Sequence, residues 1–372
     1  MKFNIVQHDL FEGLQKVIGV VPAKSTTPVL ENLLFELTDQ KLKITGTDLE
    51  VTVMTQIQPK DIQEEGAVAL PARVITEMIR SLPDIPIQFE LDSGYKMKMT
   101  TEKGFYQISG ISKENYPEVP APSEEHVMSV ENTQLSRMLS KTIFAVSVDE
   151  LRPALMGVFL QIMQNELRMV STDGHRLSKI IDTEYTSDLD DIQMIIPPKA
   201  VQIALKNLDG DGETQLVIDK SSMSFKFGDT TLHTRLVEGQ YPDYERVIPR
   251  DNEKSLVVDK QLLAASVKRV SLFSSQLTRQ IRFSLVPQKL TVLSEDIDLG
   301  GEAREELNVD YQDEPMEIGF NSQYLSDIIK QIDTDDIEFK LKTPISAALV
   351  LPAQQRENES FMMLLMPIKL SV

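Results

Sequence analysis

Cysteine and tryptophan are absent from these 372 residues, and histidine occurs only four times. Without cysteine there is no disulfide framework, thiolate metal site or cysteine nucleophile, which agrees with a reducing compartment. His8, His126, His175 and His233 are scattered and show no ligand spacing. No apolar run approaches the roughly 20 residues needed to span a bilayer; the longest are short pieces such as Phe361 to Met366. The start, Met1-Lys-Phe-Asn-Ile-Val-Gln-His-Asp, turns polar too soon for a secretory signal, so a cytoplasmic location is expected. Basic residues are also in deficit: 38 Lys and Arg against 57 Asp and Glu leave a net charge of −19. Spread evenly, that charge would argue against nucleic acid as a partner.

Signatures of chemistry are missing too, with no G-x-x-x-x-G-K-[ST], G-x-G-x-x-G, H-E-x-x-H or G-x-S-x-G in the chain. Asp209-Gly-Asp-Gly-Glu-Thr opens like a calcium loop, but its last ligand position is Lys220 instead of glutamate, so it reads as a surface turn. Asp188-Leu-Asp-Asp and Asp333-Thr-Asp-Asp336 read as solvated loops. In Thr172-Asp-Gly-His-Arg-Leu177, Asp173 and His175 beside Ser171 or Ser178 suggest a hydrolytic triad. Triad members come from separate elements, however, and neighbours along one strand point to opposite faces. A turn shaped by Gly174 is expected, with no enzyme activity, cofactor or metal.

What is present is repetition. Leu42-Lys-Ile-Thr-Gly-Thr-Asp48, Leu167-Arg-Met-Val-Ser-Thr-Asp173 and Leu290-Thr-Val-Leu-Ser-Glu-Asp296 recur with their aspartates 125 and 123 residues apart. A second set follows in register: Leu70-Pro-Ala-Arg-Val-Ile, Ile196-Pro-Pro-Lys-Ala-Val and Phe320-Asn-Ser-Gln-Tyr-Leu. The period is too long for a solenoid unit and suits three domains of roughly 120 residues each. Proline-rich exits at Tyr116-Pro-Glu-Val-Pro-Ala-Pro122 and Tyr241-Pro-Asp-Tyr-Glu-Arg-Val-Ile-Pro249 place the divisions at residues 1–122, 123–250 and 251–372. Each third reads as helix, strands, helix, strands, an α+β pattern.

The charge is segregated along this pattern. Helices expected over residues 8–20, 72–82, 131–142, 197–208, 259–269 and 320–331 hold eleven basic and six acidic residues, leaving −24 for the rest. Helices sharing one face would give an acidic protein a cationic surface, although Lys and Arg are also simply good helix formers.

At these residues the chain resembles the bacterial sliding clamp, the β subunit of DNA polymerase III. The resemblance runs through Pro28-Val-Leu-Glu-Asn-Leu-Leu, Thr45-Gly-Thr-Asp-Leu-Glu, Arg152-Pro-Ala-Leu-Met-Gly-Val, Thr172-Asp-Gly-His-Arg-Leu, Tyr241-Pro-Asp-Tyr with Arg246-Val-Ile-Pro, Phe320-Asn-Ser-Gln-Tyr-Leu and Met366-Pro-Ile-Lys-Leu. It implies three clamp domains per chain and a head-to-tail homodimer, with helices lining a ring around duplex DNA and antiparallel sheets outside. The implied function is that of a non-catalytic processivity factor contacting phosphates without reading bases. Lys24, Arg73, Arg80, Arg137, Lys141, Asp149, Lys199 and Lys206 would then face DNA.

The resemblance also implies a pocket for short peptides of the polymerase catalytic subunit, the clamp loader, and other polymerases and repair proteins. Its residues would be Leu155, Thr172, Gly174, His175, Arg176, Leu177, Pro242, Arg246, Val247, Asn321, Tyr324, Ile345, Leu364, Met366, Pro367 and Ile368, an apolar well with an adaptable methionine. Ile368, Lys369 and Thr278 depart from the usual family residues, which leaves partner preference open. At the dimer contact, Tyr106 and Ile108 would meet Leu272 and Phe273, and Arg73 and Lys103 would face Asp298, Glu302, Glu305 and Glu306. The alternative is an interaction scaffold with the same pocket that does not encircle DNA.

Overall fold

In a computed structural model of the chain, residues 1–118, 126–189, 191–208, 210–296 and 300–370 are described. Asp190, Asp209 and Asp298, and the division expected at 122, lie outside them.

The first repeat comprises β1 (Lys2–Val6), α1 (Gln7–Ile18), β2 (Asn32–Thr38), β3 (Lys41–Thr47), β4 (Val51–Ile57), β5 (Lys60–Glu64), β6 (Gly66–Pro71), α2 (Ala72–Ser81), β7 (Pro86–Leu91), β8 (Lys96–Thr101) and β9 (Gly104–Ser109). The second comprises β10 (His126–Glu131), α3 (Asn132–Ile143), β11 (Val158–Met163), β12 (Glu166–Thr172), β13 (Arg176–Asp182), β14 (Ile192–Ile196), α4 (Pro198–Asn207), β15 (Glu213–Ile218), β16 (Ser222–Phe227) and β17 (Thr230–Arg235). The third comprises β18 (Lys254–Asp259), α5 (Lys260–Val270), β19 (Gln280–Val286), β20 (Lys289–Asp296), β21 (Gly301–Asn308), β22 (Asp310–Tyr311), β23 (Met316–Asn321), α6 (Ser322–Gln331), β24 (Asp336–Leu341), β25 (Ala348–Pro352) and β26 (Glu359–Leu365).

Local chemistry accounts for these elements. In α1 the buried positions Leu10, Gly13, Leu14 and Val17 fall on one stripe, as do Ala72, Ile75, Thr76 and Ile79 in α2. The Asn321 side chain accepts from the Gln323 and Tyr324 amides at 2.9 and 3.2 Å and starts α6; Asp259 does the same for Leu262 at 2.7 Å in α5. Strands such as β24 alternate, burying Ile337, Phe339 and Leu341.

The described residues form two compact units, Met1–Arg137 with Ile196–Leu236, and Met138–Ile195 with Val237–Val372. The first holds a sheet ordered β5-β1-β7-β8-β9 and another ordered β10-β15-β16-β17-β4-β3-β2-β6. The second holds β14-β11-β12-β13-β26-β25-β24-β18-β22 and β21-β20-β19-β23. Each of the two long sheets is therefore two half-sheets from successive repeats, fused where β17 pairs with β4 and where β26 pairs with β13.

The recurring Thr-Asp step builds the same turn at both fusions. Asp48 Oδ1 accepts from the Glu50 and Val51 amides at 3.0 and 2.7 Å, and Asp173 Oδ1 accepts from the His175 and Arg176 amides at 2.8 and 3.0 Å. Both turns need a left-handed residue, Leu49 at φ 80° in one and Gly174 at φ 90° in the other. A Cβ on Gly174 would lie 2.8 Å from Arg152 Nη1. Leucine is strained there by about 1–2 kcal/mol, whereas glycine is at ease.

Two predictions follow from the turns and the first fusion. Leu49→Gly should raise the denaturant midpoint, by less than about 1 kcal/mol because glycine frees the unfolded chain, and Gly174→Ala should lower it by about 1–2 kcal/mol; the opposite order would refute the strain assignment. His233, opposite Thr52 across the β17–β4 fusion, is buried with Nδ1 at 2.9 Å from Ser224 Oγ. Desolvation holds its pKa below the ordinary 6.5, with Arg235 adding to the effect and Asp219 opposing it. The unfolded chain therefore takes up this proton first as the pH falls, and stability drops below about 6.5. Urea titrations between about pH 7 and pH 5 should show a shallower loss for His233→Gln than for wild type; equal slopes would rule the histidine out.

Candidate functional site

The turn at Gly174 opens onto an apolar cluster in the second unit. Leu155, brought in by a short 3-10 turn, packs with Leu177 of β13, Leu364 of β26, Phe159, Tyr241 and Tyr244. Three further apolar residues expected at this site are exposed: Val247 at 59%, Ile345 at 71% and Met366 at 41%. The Met366 amide donates to the His175 carbonyl at 2.8 Å, and the Ile368 amide donates to Gly319 at 2.8 Å, so the carboxyl-terminal segment is pinned to the turn and to β23. The expected residues of this site thus fall within one unit, with Pro242 exposed and Thr172, Pro367 and Ile368 half-buried.

Most of the polar members are already engaged within the fold. Arg176 is committed to the fold: Nε meets Asp173 at 3.0 Å, Nη1 meets Asp327 at 2.8 Å, and the guanidinium lies 4.6 Å from the Tyr324 ring centroid and 5.3 Å from that of Phe144. It holds the turn against α6 and offers little to a ligand. The exposed His175 ring stacks on Tyr324 at 5.9 Å. Asn321 is spent on capping α6. Arg246 stays exposed, paired with Asp243 at 2.7 Å. Tyr241, which opens the Tyr-Pro-Asp-Tyr run but was not expected at the site, proves to be part of the buried cluster.

The first fusion has the same frame and different chemistry. Arg235 donates its amide to the Glu50 carbonyl at 3.0 Å, as Met366 does to His175. Where Leu364 faces Leu177, however, His233 faces Thr52. Asp48 is taken by Lys199, which also donates to the Val20 carbonyl at 2.8 Å. Apolar side chains therefore meet at the second fusion, and polar side chains occupy the matching positions of the first.

Ser171 and Ser178 are buried, with their hydroxyls donating to the Thr142 carbonyl and, at 2.6 Å, to that of Lys141. They satisfy the carbonyls at the end of α3, far from any nucleophilic arrangement with His175. Among the described residues no cluster of acids and histidines is arranged to hold a metal ion, and no helix is long and apolar enough to cross a membrane.

Of the residues expected to face DNA, Lys24, Arg73, Arg80 and Lys206 are exposed, and Arg137 and Lys199 are half-buried. Lys141 does not fit that role: it is 6% exposed, bound to Asp333 at 2.7 Å and to the Gln331 carbonyl at the end of α6. Asp149 accepts from Arg152 Nε at 2.8 Å, which holds its carboxyl below the usual range and keeps it anionic, so it orders its loop and does not bind phosphate.

The expected dimer residues lie on two sheet edges. β9 ends its sheet in the first unit and carries exposed Phe105 and Tyr106, with Ile108 half-buried; Phe105 was not singled out in the sequence. β21 ends its sheet in the second unit beside exposed Leu272 and Phe273. Lys103 and Arg73 are exposed, as is Glu302. Glu305 is already held within its own chain by both Arg269 nitrogens at 2.6 and 2.7 Å, and Glu306 by Lys289 at 2.8 Å and Arg304 at 2.9 Å. These two acids are therefore not waiting for Arg73 and Lys103.

Repeated half-sheets fused edge to edge, with the equivalent strands β9 and β21 ending their sheets among the described residues, define a repeat-built DNA-clamp architecture. Family models of the DNA polymerase III beta subunit match residues 1–120 as its N-terminal domain, 129–243 as its central domain and 245–369 as its C-terminal domain. The beta sliding clamps of Pseudomonas putida and Pseudomonas aeruginosa are 32% and 33% identical over 372 and 373 residues, covering 100% of each chain. The Pseudomonas aeruginosa DNA polymerase III subunit beta bound to griselimycin matches at TM-score 0.94 and 32% identity, and the Thermotoga maritima beta subunit at TM-score 0.92 and 25%, each over 100% of both chains. The chain belongs to the DNA polymerase III beta subunit family, the beta sliding clamps, whose members are non-catalytic subunits of the replication machinery.

Arg176→Ala should cost about 2–3 kcal/mol, because it strands two partly buried carboxylates. Arg176→Lys should recover little of this, since an ammonium cannot fork to both. Full recovery by lysine in urea unfolding would show that the pairing is unimportant.

Proposed function

We propose that the chain acts as a DNA-encircling processivity factor, a head-to-tail homodimer whose ring is closed by pairing β9 of one copy with β21 of the other. The observation that carries this reading is the set of sheet edges. In the internal fusions, the last strand of one repeat pairs with the third strand of the first sheet in the repeat before it. β9 and β21 are the repeat equivalents of those partners and end their sheets among the described residues. An open edge flanked by exposed aromatic and leucine side chains is a template for another chain, and two such contacts between two copies close the set.

The register follows by analogy. Thr234 lies opposite Val51 and Leu232 opposite Val53, which places Ile108 opposite Gly301 and Tyr106 opposite Ala303 of the partner. Leu272 and Phe273 would cover this seam. Exposed cations, Lys24 in the loop after α1 with Arg73 and Arg80 on α2 and Lys206 on α4, would contact phosphates without reading bases, and the acidic remainder of the chain would disfavour binding elsewhere. The well at Leu155, Leu177, Leu364 and Met366 would receive short peptides of the polymerase, clamp loader and repair proteins; the griselimycin-bound relative supports a ligand-binding role for this family. The domain limits 1–122, 123–250 and 251–372 are kept as the proposed division, and a cytoplasmic location accompanies this function.

Native mass spectrometry should give 84 kDa, twice the 42.0 kDa chain. Tyr106→Asp with Leu272→Asp, both on exposed positions, should give the monomer. Loaded on circular DNA, the wild type should be retained and then lost on linearisation. Equal retention on both forms would sink the ring, and a wild-type monomer would favour the non-encircling scaffold.

A further inference from the structure

Among the described residues, Tyr241 is the one member of the buried apolar cluster whose polar atom lacks a hydrogen-bond partner. Its side chain is 6% exposed. The ring lies flat on Phe159, centroids 4.5 Å apart and planes 1° from parallel, and meets Tyr244 edge-on at 6.4 Å. The Thr172 N–H approaches the phenol oxygen, but the hydroxyl completes no hydrogen bond among the described residues. A buried hydroxyl without a partner is a standing cost that phenylalanine would avoid.

The first repeat supplies an internal control. Tyr116 occupies the matching Tyr-Pro step and is equally buried, yet its hydroxyl donates to the Thr45 carbonyl at 3.2 Å and lies 3.3 Å from that of Asn32. The same residue in the same place is satisfied at one fusion and open at the other. The open one lies in the buried cluster of Leu155, Leu177 and Leu364, beside the backbone of Thr172. Burial pushes its pKa well above the usual phenol range, so it keeps its proton and has that proton to donate.

We propose that the Tyr241 hydroxyl is a specificity determinant of the peptide site, donating to a carbonyl oxygen, main-chain or carboxamide, of the docked segment. Leu155, Leu177, Val247 and Met366 would accept apolar side chains, and Tyr241 would require one polar acceptor among them. This rests on the reading of the surface as a peptide site. A specific site built this way rejects ligands that leave its buried polar group unpaired.

The test uses a short fluorescein-labelled peptide selected on the wild-type protein from a random library, read by anisotropy alongside urea unfolding. Tyr241→Phe should weaken binding roughly 3- to 10-fold while leaving the unfolding midpoint unchanged or raising it. Tyr116→Phe should lower the midpoint and leave the affinity unaltered. Val247→Asp should abolish binding. If Val247→Asp abolishes binding and Tyr241→Phe does not weaken it, the hydroxyl is not a determinant and the site stands without it. A fall in both affinity and midpoint for Tyr241→Phe would make the hydroxyl structural and overturn the proposal. Binding unaffected by Val247→Asp would place the peptide elsewhere, and the site reading would fail with it.

Discussion

The whole arrangement depends on what a β-sheet edge requires. An edge strand presents unpaired amides and carbonyls that must be hydrogen-bonded by water, covered, or joined to another strand. Here the edge left by one repeat is joined to the edge offered by the next, β17 to β4 and β26 to β13. The two long sheets, the Thr-Asp turns that lead into β4 and β13, and the backbone bonds from Arg235 to Glu50 and from Met366 to His175 all follow from that one operation performed twice. A series of three repeats joined this way has two junctions and leaves one edge of each kind over. The proposed head-to-tail dimer applies the same joining rule between two copies.

A shared frame leaves side chains free to diverge, and the two fusions show how far. Leu177 opposite Leu364 replaces Thr52 opposite His233, Gly174 replaces Leu49, and an unsatisfied Tyr241 replaces a satisfied Tyr116. Each change moves the second fusion toward an apolar surface with a relaxed turn. The first keeps a buried polar network and a Lys199–Asp48 ion pair. Exposed apolar area is costly unless something covers it; the second fusion exposes Val247, Ile345 and Met366, the first the turn residue Leu49.

Periodicity and start signals made the elements readable in advance. The helices lie within about two residues of the expected spans, since stripes such as Leu10, Leu14 and Val17 and caps such as Asn321 are local codes. The repeated Thr-Asp step likewise announced a turn at Gly174. Through-space pairings were not readable. Lys141 looked like a helix cation available to phosphate, and it is buried against Asp333 and the end of α6. Arg176 was expected to line the peptide pocket, and two aspartates and two aromatic rings hold it. Glu305 looked available to a partner, and Arg269 already grips it. Each outcome depends on residues some 30 to 190 positions away.

The amino-acid order was enough to specify three repeats, their helices and strands, the absence of thiol chemistry and the acidic balance. All of these are properties of composition or of short-range periodicity, and they survive whatever the chain does at long range. Which strand edges meet, which cations are neutralised, and which of two equivalent tyrosines keeps an unused proton were settled by packing. Those outcomes turn on ångström-scale distances between distant parts of the chain, and no spacing along the sequence encodes them.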